Sequence, residues 1–186
     1  MIKRIVQGVA FVVVIPAALL CAFGRIDVLY TVFAHLYALA PGIPGDYVRI
    51  AFYKLTLKEC SLDSRICFGA FFAHPEAHLG PRVYIGPYCV LGRVKIGART
   101  QIATSVQVLS GKNQHTRDAD GRISGSDQGS FTTVEIGADC WIGTAAIVMA
   151  DIGDHTTVGA GTVVTKAIPA NSTAVGNPAR LLERTV

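Results

Sequence analysis

Five histidines are the residues in this chain most open to chemistry, and their surroundings sort them. His115 stands in Gly111-Lys112-Asn113-Gln114-His115-Thr116-Arg117-Asp118, the opening of a polar stretch from Gly111 to Thr133 with no apolar period and with Gly111, Gly121, Gly125 and Gly129 spread along it. A non-repeating stretch of that length inside a compact domain is usually functional or disordered. A histidine held there has the right type for general-base work near neutral pH. His74 and His78, in His74-Pro75-Glu76-Ala77-His78, have the spacing of a metal pair. His155 falls at an outward, solvated position, and His35 belongs to an apolar N-terminal region. The five cysteines are odd in number and form no Cys-x-x-Cys pair, which argues for a reducing compartment and against a disulfide framework.

The elements that must position these groups count in sixes. Ile136, Ile142 and Val148 recur at that step, as do Ile152, Val158 and Val164, and a glycine follows four of the six. A fixed repeat of this kind means stacked identical units, here a hexapeptide β-helix, since helices repeat every 3.6 residues and half-buried strands every second one. In Ile136-Gly137-Ala138-Asp139-Cys140-Trp141 the aliphatic residue points inward, the glycine permits the corner, and the small residue four places on fits a crowded interior turn. Ala146, Thr156 and Thr162 repeat the small position. An earlier block, with Leu79, Ile85, Leu91, Ile96 and Ile102 inward, carries Val83, Cys89, Thr100 and Val106 there. Two steps are irregular: Leu91 to Ile96 is one residue short and Val148 to Ile152 two short. Cys89 and Cys140 read as core fillers. A single coil leaves its faces unburied, so several must stack.

The hexads, with Trp141-Ile142-Gly143, the run Val158 to Lys166 and the closing Val175-Gly176-Asn177-Pro178-Ala179-Arg180, resemble the hexapeptide-repeat acyltransferase superfamily over roughly residues 60 to 182. The likeness is strongest to sugar and polysaccharide O-acetyltransferases and to the maltose, nodulation-factor and antibiotic acetyltransferases. It implies an all-β solenoid, a left-handed parallel β-helix assembled as a homotrimer, with acetyl-CoA as acyl donor and a carbohydrate or lipid-linked glycan as acceptor. The left hand comes from the resemblance alone, because ordinary parallel crossovers are right-handed. His115 matches the histidine that in these enzymes sits on an extended loop at the cleft between subunits and takes the acceptor's hydroxyl proton. A positioned base of this type contributes about 10²–10⁴-fold. By the same resemblance Thr144 and Ala160 lie along the pantetheine arm, Gly143 and Gly161 allow its close approach, and Thr165, Lys166 and Arg180 lie toward the nucleotide. Trp141 flanks that groove or caps a rung. Asn113 and Asp118 are candidates for hydroxyl recognition, and Asp118 or Asp120 for orienting the imidazole.

Two other readings share the repeat. The γ-class carbonic anhydrases bind zinc on this fold through one distant histidine followed by a close pair, whereas here the close pair, His74 and His78, comes first; no metal is expected. A non-catalytic scaffold would show the same hexads without acetyl transfer.

Residues 1–58 form a separate hydrophobic helical region ahead of the β-helix domain at 59–182, with 183–186 as a tail. Ile5 to Phe23 contains no charged residue and has the length a spanning helix needs. Lys3 and Arg4 precede it and Arg25 follows. Val28, Leu29, Val32, Phe33, Leu36 and Tyr37 continue at helical spacing up to Pro41, as a second, shorter membrane-embedded or interfacial helix would, and Tyr47 to Leu57 reads as an interfacial segment. A secretory signal fits the basic start, but no small-x-small cleavage site ends the run; a trimer-forming helix bundle is the remaining alternative. Through Cys60, Lys3, Arg4, Arg25, Arg49, Lys54 and Lys58 against Asp27, Asp46 and Glu59 account for three of the chain's four net positive charges, which fits a membrane surface and not a nucleic-acid patch. The expected location is the cytoplasmic (inner) membrane, with the catalytic domain facing the cytoplasm.

Overall fold

A computed structural model describes residues 2–111, 115, 117–123 and 131–182. The chain begins with α1 (Ile2–Leu20), a single 3-10 turn at Ala22–Gly24, α2 (Asp27–Ala38) and α3 (Gly42–Thr56). Short strands then follow coil by coil. The first coil holds β1 (Glu59–Cys60), β2 (Arg65–Ile66) and β3 (Phe71–Phe72); the second β4 (His78–Leu79), β5 (Tyr84–Ile85) and β6 (Val90–Leu91); the third β7 (Val94–Ile96), β8 (Gln101–Ile102) and β9 (Gln107–Val108). The fourth holds β10 (Val134–Ile136), β11 (Trp141–Ile142) and β12 (Ile147–Val148). Above it come a bridge at Ile152, β13 (Thr157–Val158), β14 (Val163–Val164), a bridge at Ile168, β15 (Thr173–Val175) and β16 (Arg180–Leu181).

Like strands stack into three parallel sheets, ordered β1-β4-β7-β10, β2-β5-β8-β11-β13-β15-β16 and β3-β6-β9-β12-β14, with only β16 antiparallel to its neighbour. The result is a solenoid of about six turns, a left-handed parallel β-helix. Register puts identical hexad positions in contact: Ile85 on Ile102 on Ile142 on Val158, and Leu91 on Val108 on Val148 on Val164. All of these aliphatics are fully buried, as are the small residues Val83, Cys89, Thr100, Val106, Cys140, Ala146, Thr156 and Thr162. At about 25 cal/mol per Å² of apolar surface removed from water, this continuous column is the main source of stability.

The glycines after the aliphatic positions do a different job from the one expected. They are not the corner residues. A Cβ at Gly97 would lie 2.5 Å from Ala138 N, one at Gly137 2.5 Å from Asp154 N and one at Gly143 2.5 Å from Ala160 N, so glycine is required because the next coil's backbone occupies that space. The left-handed backbone of the corners falls on other residues. Arg82, Arg99, Asp139, His155 and Asn171 form one ladder of positive φ, and Tyr88, Ser105, Ala145 and Gly161 a second. Each such non-glycine residue costs of order 1 kcal/mol, offset by coil-to-coil bonds such as Arg99 N–H to Pro81 O and Asp139 N–H to Ala98 O, both 2.9 Å.

The helices cap the open end of the solenoid. Arg49 is fully buried and donates to Ile66 O (2.8 Å), Tyr37 O, Ala38 O and Ala40 O, while pairing with Asp46. Tyr30 Oη donates to Phe72 O (3.0 Å) and Tyr53 Oη accepts from the Phe72 N–H (3.1 Å). These side chains satisfy the exposed edge of the first coil, which otherwise invites strand addition. The segment Tyr47–Leu57 is therefore a buried cap and not an interfacial element: Arg49, Phe52 and Tyr53 are inside. α1 meets the length and composition of a membrane span, yet it packs along α3.

Candidate active site

Every departure from the six-residue step falls at one corner, between the β3-β6-β9-β12-β14 sheet and the β1-β4-β7-β10 sheet. The inward residues run from Phe72 to Leu79, Leu91 to Ile96, Val108 to Ile136, Val148 to Ile152 and Val164 to Ile168 across successive coils. The corner beneath the long loop is one residue short and the two above it are two short. Short corners on either side leave a recess, and the stretch from Gly111 to Thr133 emerges there.

The loop leaves the solenoid through a tight neck. The Thr132 N–H donates to Ser110 O (3.0 Å), and Gly111, buried with φ +83°, lies where any side chain would collide with Thr132 Oγ1. Ser110 Oγ accepts from the Arg93 N–H (2.9 Å), which ties the neck to the coil below. His115 is exposed and stands four residues beyond Gly111. Farther out, Arg117 and Ile123 form an antiparallel bridge closed by Asp118, whose Oδ1 accepts from the Asp120 and Arg122 N–H groups (3.0 and 2.9 Å). Asp118 thus organises the turn with one carboxylate oxygen. Asn113 lies outside the described residues. At the loop's exit Phe131 is flanked by the Arg93 guanidinium, 5.3 Å from its centroid, and by the His74 ring at 5.5 Å. Burial first, and then the charge of Arg93, hold the His74 imidazole below its ordinary pKa. Arg93 also pairs with Glu76 at 3.5 Å.

Above the neck a groove of about 480 Å³ is lined by Thr132, Thr133, Met149, Asp151, Thr165 and Lys166. A second, of about 540 Å³, shares Thr165 and Lys166 and continues along Pro178, Ala179 and Arg180. Lys166 and Arg180 are exposed, so three of the expected cofactor residues meet in one channel that begins at the loop. The other five do not. Gly143, Thr144, Ala160 and Gly161 lie on the corner between the β2-to-β16 sheet and the β3-to-β14 sheet, on another edge of the prism, with Trp141 in β11 on the adjoining sheet face. Trp141, Thr144, Ala160 and Gly161 are exposed, and the space around Gly161, at φ +66°, is open. Gly143 differs: it is buried, and the coil above accounts for its missing side chain.

Sequence reasoning did not pick out Met149 and Asp151 as walls of the groove, or Arg93 and Phe131 as a pair at the loop's exit. The short steps at Leu91 and Val148 were the available signal. His74 and His78 turn apart, His74 to Phe131 and His78 to Glu59 (3.5 Å), and among the described residues no group of three histidine, cysteine or acidic side chains is placed to hold a metal ion. His155 is exposed, 3.9 Å from Asp139, whose carboxyl is held below its usual range chiefly by the Arg99 guanidinium.

No model of a known protein family matches the chain. Among solved structures it is similar to a maltose O-acetyltransferase from Clostridium difficile 630, with a TM-score of 0.71 and 24% identity over 87% of each chain. A hexapeptide-repeat acetyltransferase from Vibrio cholerae matches at TM-score 0.70 with 18% identity, over 87% of this chain and 90% of that one. An N-acyltransferase from Bacillus cereus, solved with coenzyme A and a dTDP-linked amino-dideoxyglucose, matches at TM-score 0.55 and 16% identity over 64% of this chain and 69% of the other. These likenesses define the fold class. In sequence, the chain is 36% identical over 90 residues to a Schizosaccharomyces pombe protein that carries an acetyltransferase name, a match covering 47% of this chain and 42% of that protein. The chain spans less than half the length of the curated relatives it matches. The proteins that share its fold and its sequence are thus named as acetyltransferases.

Proposed function

We propose that the chain is an acetyl-CoA-dependent O-acetyltransferase whose acceptor is a sugar hydroxyl of a cell-surface polysaccharide or a lipid-linked glycan precursor. The observation that carries this reading is the coincidence at one corner of a neck-closed loop bearing His115 and a groove that reaches Thr165, Lys166 and Arg180. The groove suits a thioester donor with a phosphorylated nucleotide: exposed Lys166 stands midway along it and exposed Arg180 at its far end, and phosphates favour such fixed partners. His115, as general base, takes the proton of the acceptor hydroxyl while its oxygen attacks the acetyl carbonyl. The C–S bond of the donor breaks, and His115 returns the proton to the leaving thiolate. No covalent acyl-enzyme is needed, so buried, unreactive cysteines are compatible with turnover; the Cys89 thiol is pushed up to about 11 by burial.

A homotrimer belongs to this reading. One chain holds Thr165, Lys166 and Arg180 on one edge and Thr144, Ala160 and Gly161 on another, and packing of three prisms about an axis would bring the edge of one copy against the other edge of its neighbour. The enzyme works at the cytoplasmic face of the inner membrane, where its donor is available. The test is a screen of free sugars and lipid-linked glycans with labelled acetyl-CoA, followed by mass location of the acetyl group. Transfer to a carbohydrate hydroxyl is the expected result; transfer only to amines, or none to any acceptor, overturns it.

A further inference from the structure

The outer faces of α1 and α2 form a wide apolar surface with no protein packed on it among the described residues. On α1, Ile5, Val9, Val12, Val13, Leu19 and Leu20 are exposed, Val12 at 72%; on α2, Val28, Val32 and Leu36, Val28 at 75%; Leu39 and Ile43 continue it. No charged side chain interrupts these positions. Soluble monomers rarely leave so large an apolar surface open.

We propose that this surface is a monotopic membrane dock, with α1 lying in the plane of an anionic bilayer surface and not crossing it. The proposal rests on the membrane location given above and deepens it; it is independent of acetyl transfer. α1 has two faces. Ala10, Val14, Ala17, Ala18 and Cys21 are buried on its inner side, where it packs along α3. α3 in turn is fixed to the first coil by Arg49 and Tyr53. Lys3 reaches Asp63 (3.4 Å) and Gln7 reaches Leu62 O (3.5 Å), so the start of α1 is tied to the solenoid. A transmembrane α1 would strip all of these contacts and uncover the apolar side of α3. An in-plane α1 keeps them and immerses only the outer face, as amphipathic interfacial helices do. Charge selects the occupant. Arg4 and Arg25 rim the surface against one acidic residue, Asp27, while Lys3 is paired with Asp63 on the solenoid side. A second copy would bring the same cations, whereas anionic headgroups complement them.

The test uses the full chain with phosphatidylcholine vesicles, with and without phosphatidylglycerol, read by flotation. Binding that strengthens with phosphatidylglycerol is expected. The exposed-face variant Leu36→Ser/Leu39→Ser should weaken it by about tenfold per leucine, and Arg4→Gln/Arg25→Gln should abolish the phosphatidylglycerol preference while leaving the apolar component. A tag at the N-terminus should remain accessible to protease on the same side of the vesicle as the β-helix. A tag protected in the lumen means a spanning helix and overturns the proposal. So does a detergent-free soluble oligomer that ignores both vesicles. Turnover with a soluble sugar, measured on the same variants, separates the two readings: vesicle binding without any acetyl transfer removes the enzyme and leaves the dock.

Discussion

Alanine at Gly143 and alanine at Gly161 should have opposite consequences, although both glycines fall in the stretch expected to line a cofactor groove. At Gly143 a new Cβ would sit 2.5 Å from Ala160 N, 2.7 Å from Gly159 C and 2.9 Å from Ala160 Cα, all backbone of the coil above. The coils must separate, stretching bonds such as Gly143 N–H to Val158 O, now 2.7 Å. Overpacking of this kind costs about 1–3 kcal/mol, less the roughly 0.4–1 kcal/mol that alanine gains by restricting the unfolded chain. A net loss of about 1.3 kcal/mol corresponds to a fall in Tm of about 3–5 °C for a chain of this size. At Gly161 nothing lies within 4 Å, and the only cost is φ +66°, of order 1 kcal/mol. Ala145 already holds φ +58° at the same corner one coil below. Gly161→Ala should therefore melt within about 4 °C of the parent and instead weaken coenzyme A binding, because its methyl enters open space on the proposed groove wall. Thermal unfolding by circular dichroism and calorimetric titration with coenzyme A check both. Gly143→Ala melting within about 1 °C of the parent, or Gly161→Ala proving the less stable of the two, would refute the stacking argument.

Truncating the buried Arg49 to alanine leaves the carbonyls of Ile66 and Ala40 without their donor, while Asp46 keeps its pairing with Arg65 (2.7 Å), and should cost about 2–6 kcal/mol in denaturant unfolding, at roughly 1–3 kcal/mol per orphaned carbonyl; lysine, lacking the planar fork, should not restore it. His74 should make the fold acid-sensitive. Its pKa is lowered by burial and by Arg93, so the unfolded state binds the proton first and stability falls as pH drops below the ordinary histidine range; His74→Gln should flatten that limb of the Tm-against-pH curve.

The β-helix core was readable from Ile136, Ile142 and Val148 onward because each hexad carries its own burial pattern, and every small residue assigned to an interior turn is buried. The first coil, Cys60, Ile66 and Phe72, keeps the step of six with Ser61, Cys67 and Ala73 at the positions that glycine takes in many of the later coils, so glycine was the weaker marker of the repeat. The glycines were assigned to corners because turns favour glycine; the actual corners take Arg99, Asp139 and Tyr88 in left-handed conformation, a choice made by coil-to-coil bonding that a linear pattern does not display. The short steps after Leu91 and Val148 were visible, but their stacking around the loop depends on which sheet each strand joins. For the same reason the four residues from Gly143 to Gly161 and the three from Thr165 to Arg180 read as one groove in sequence and lie on two edges in space. Tyr47–Leu57 looked interfacial because aromatics alternate with cations; Arg49 is instead spent inside, on backbone carbonyls.

The central claim is that His115 takes the acceptor's proton in a direct transfer from acetyl-CoA. The most direct measurement compares steady-state turnover of the full chain and His115→Ala with labelled acetyl-CoA and a responsive carbohydrate acceptor, alongside coenzyme A affinity by titration. The account predicts a fall in kcat of about 10²–10⁴-fold with coenzyme A affinity unchanged. Turnover within a few-fold of the parent would contradict it.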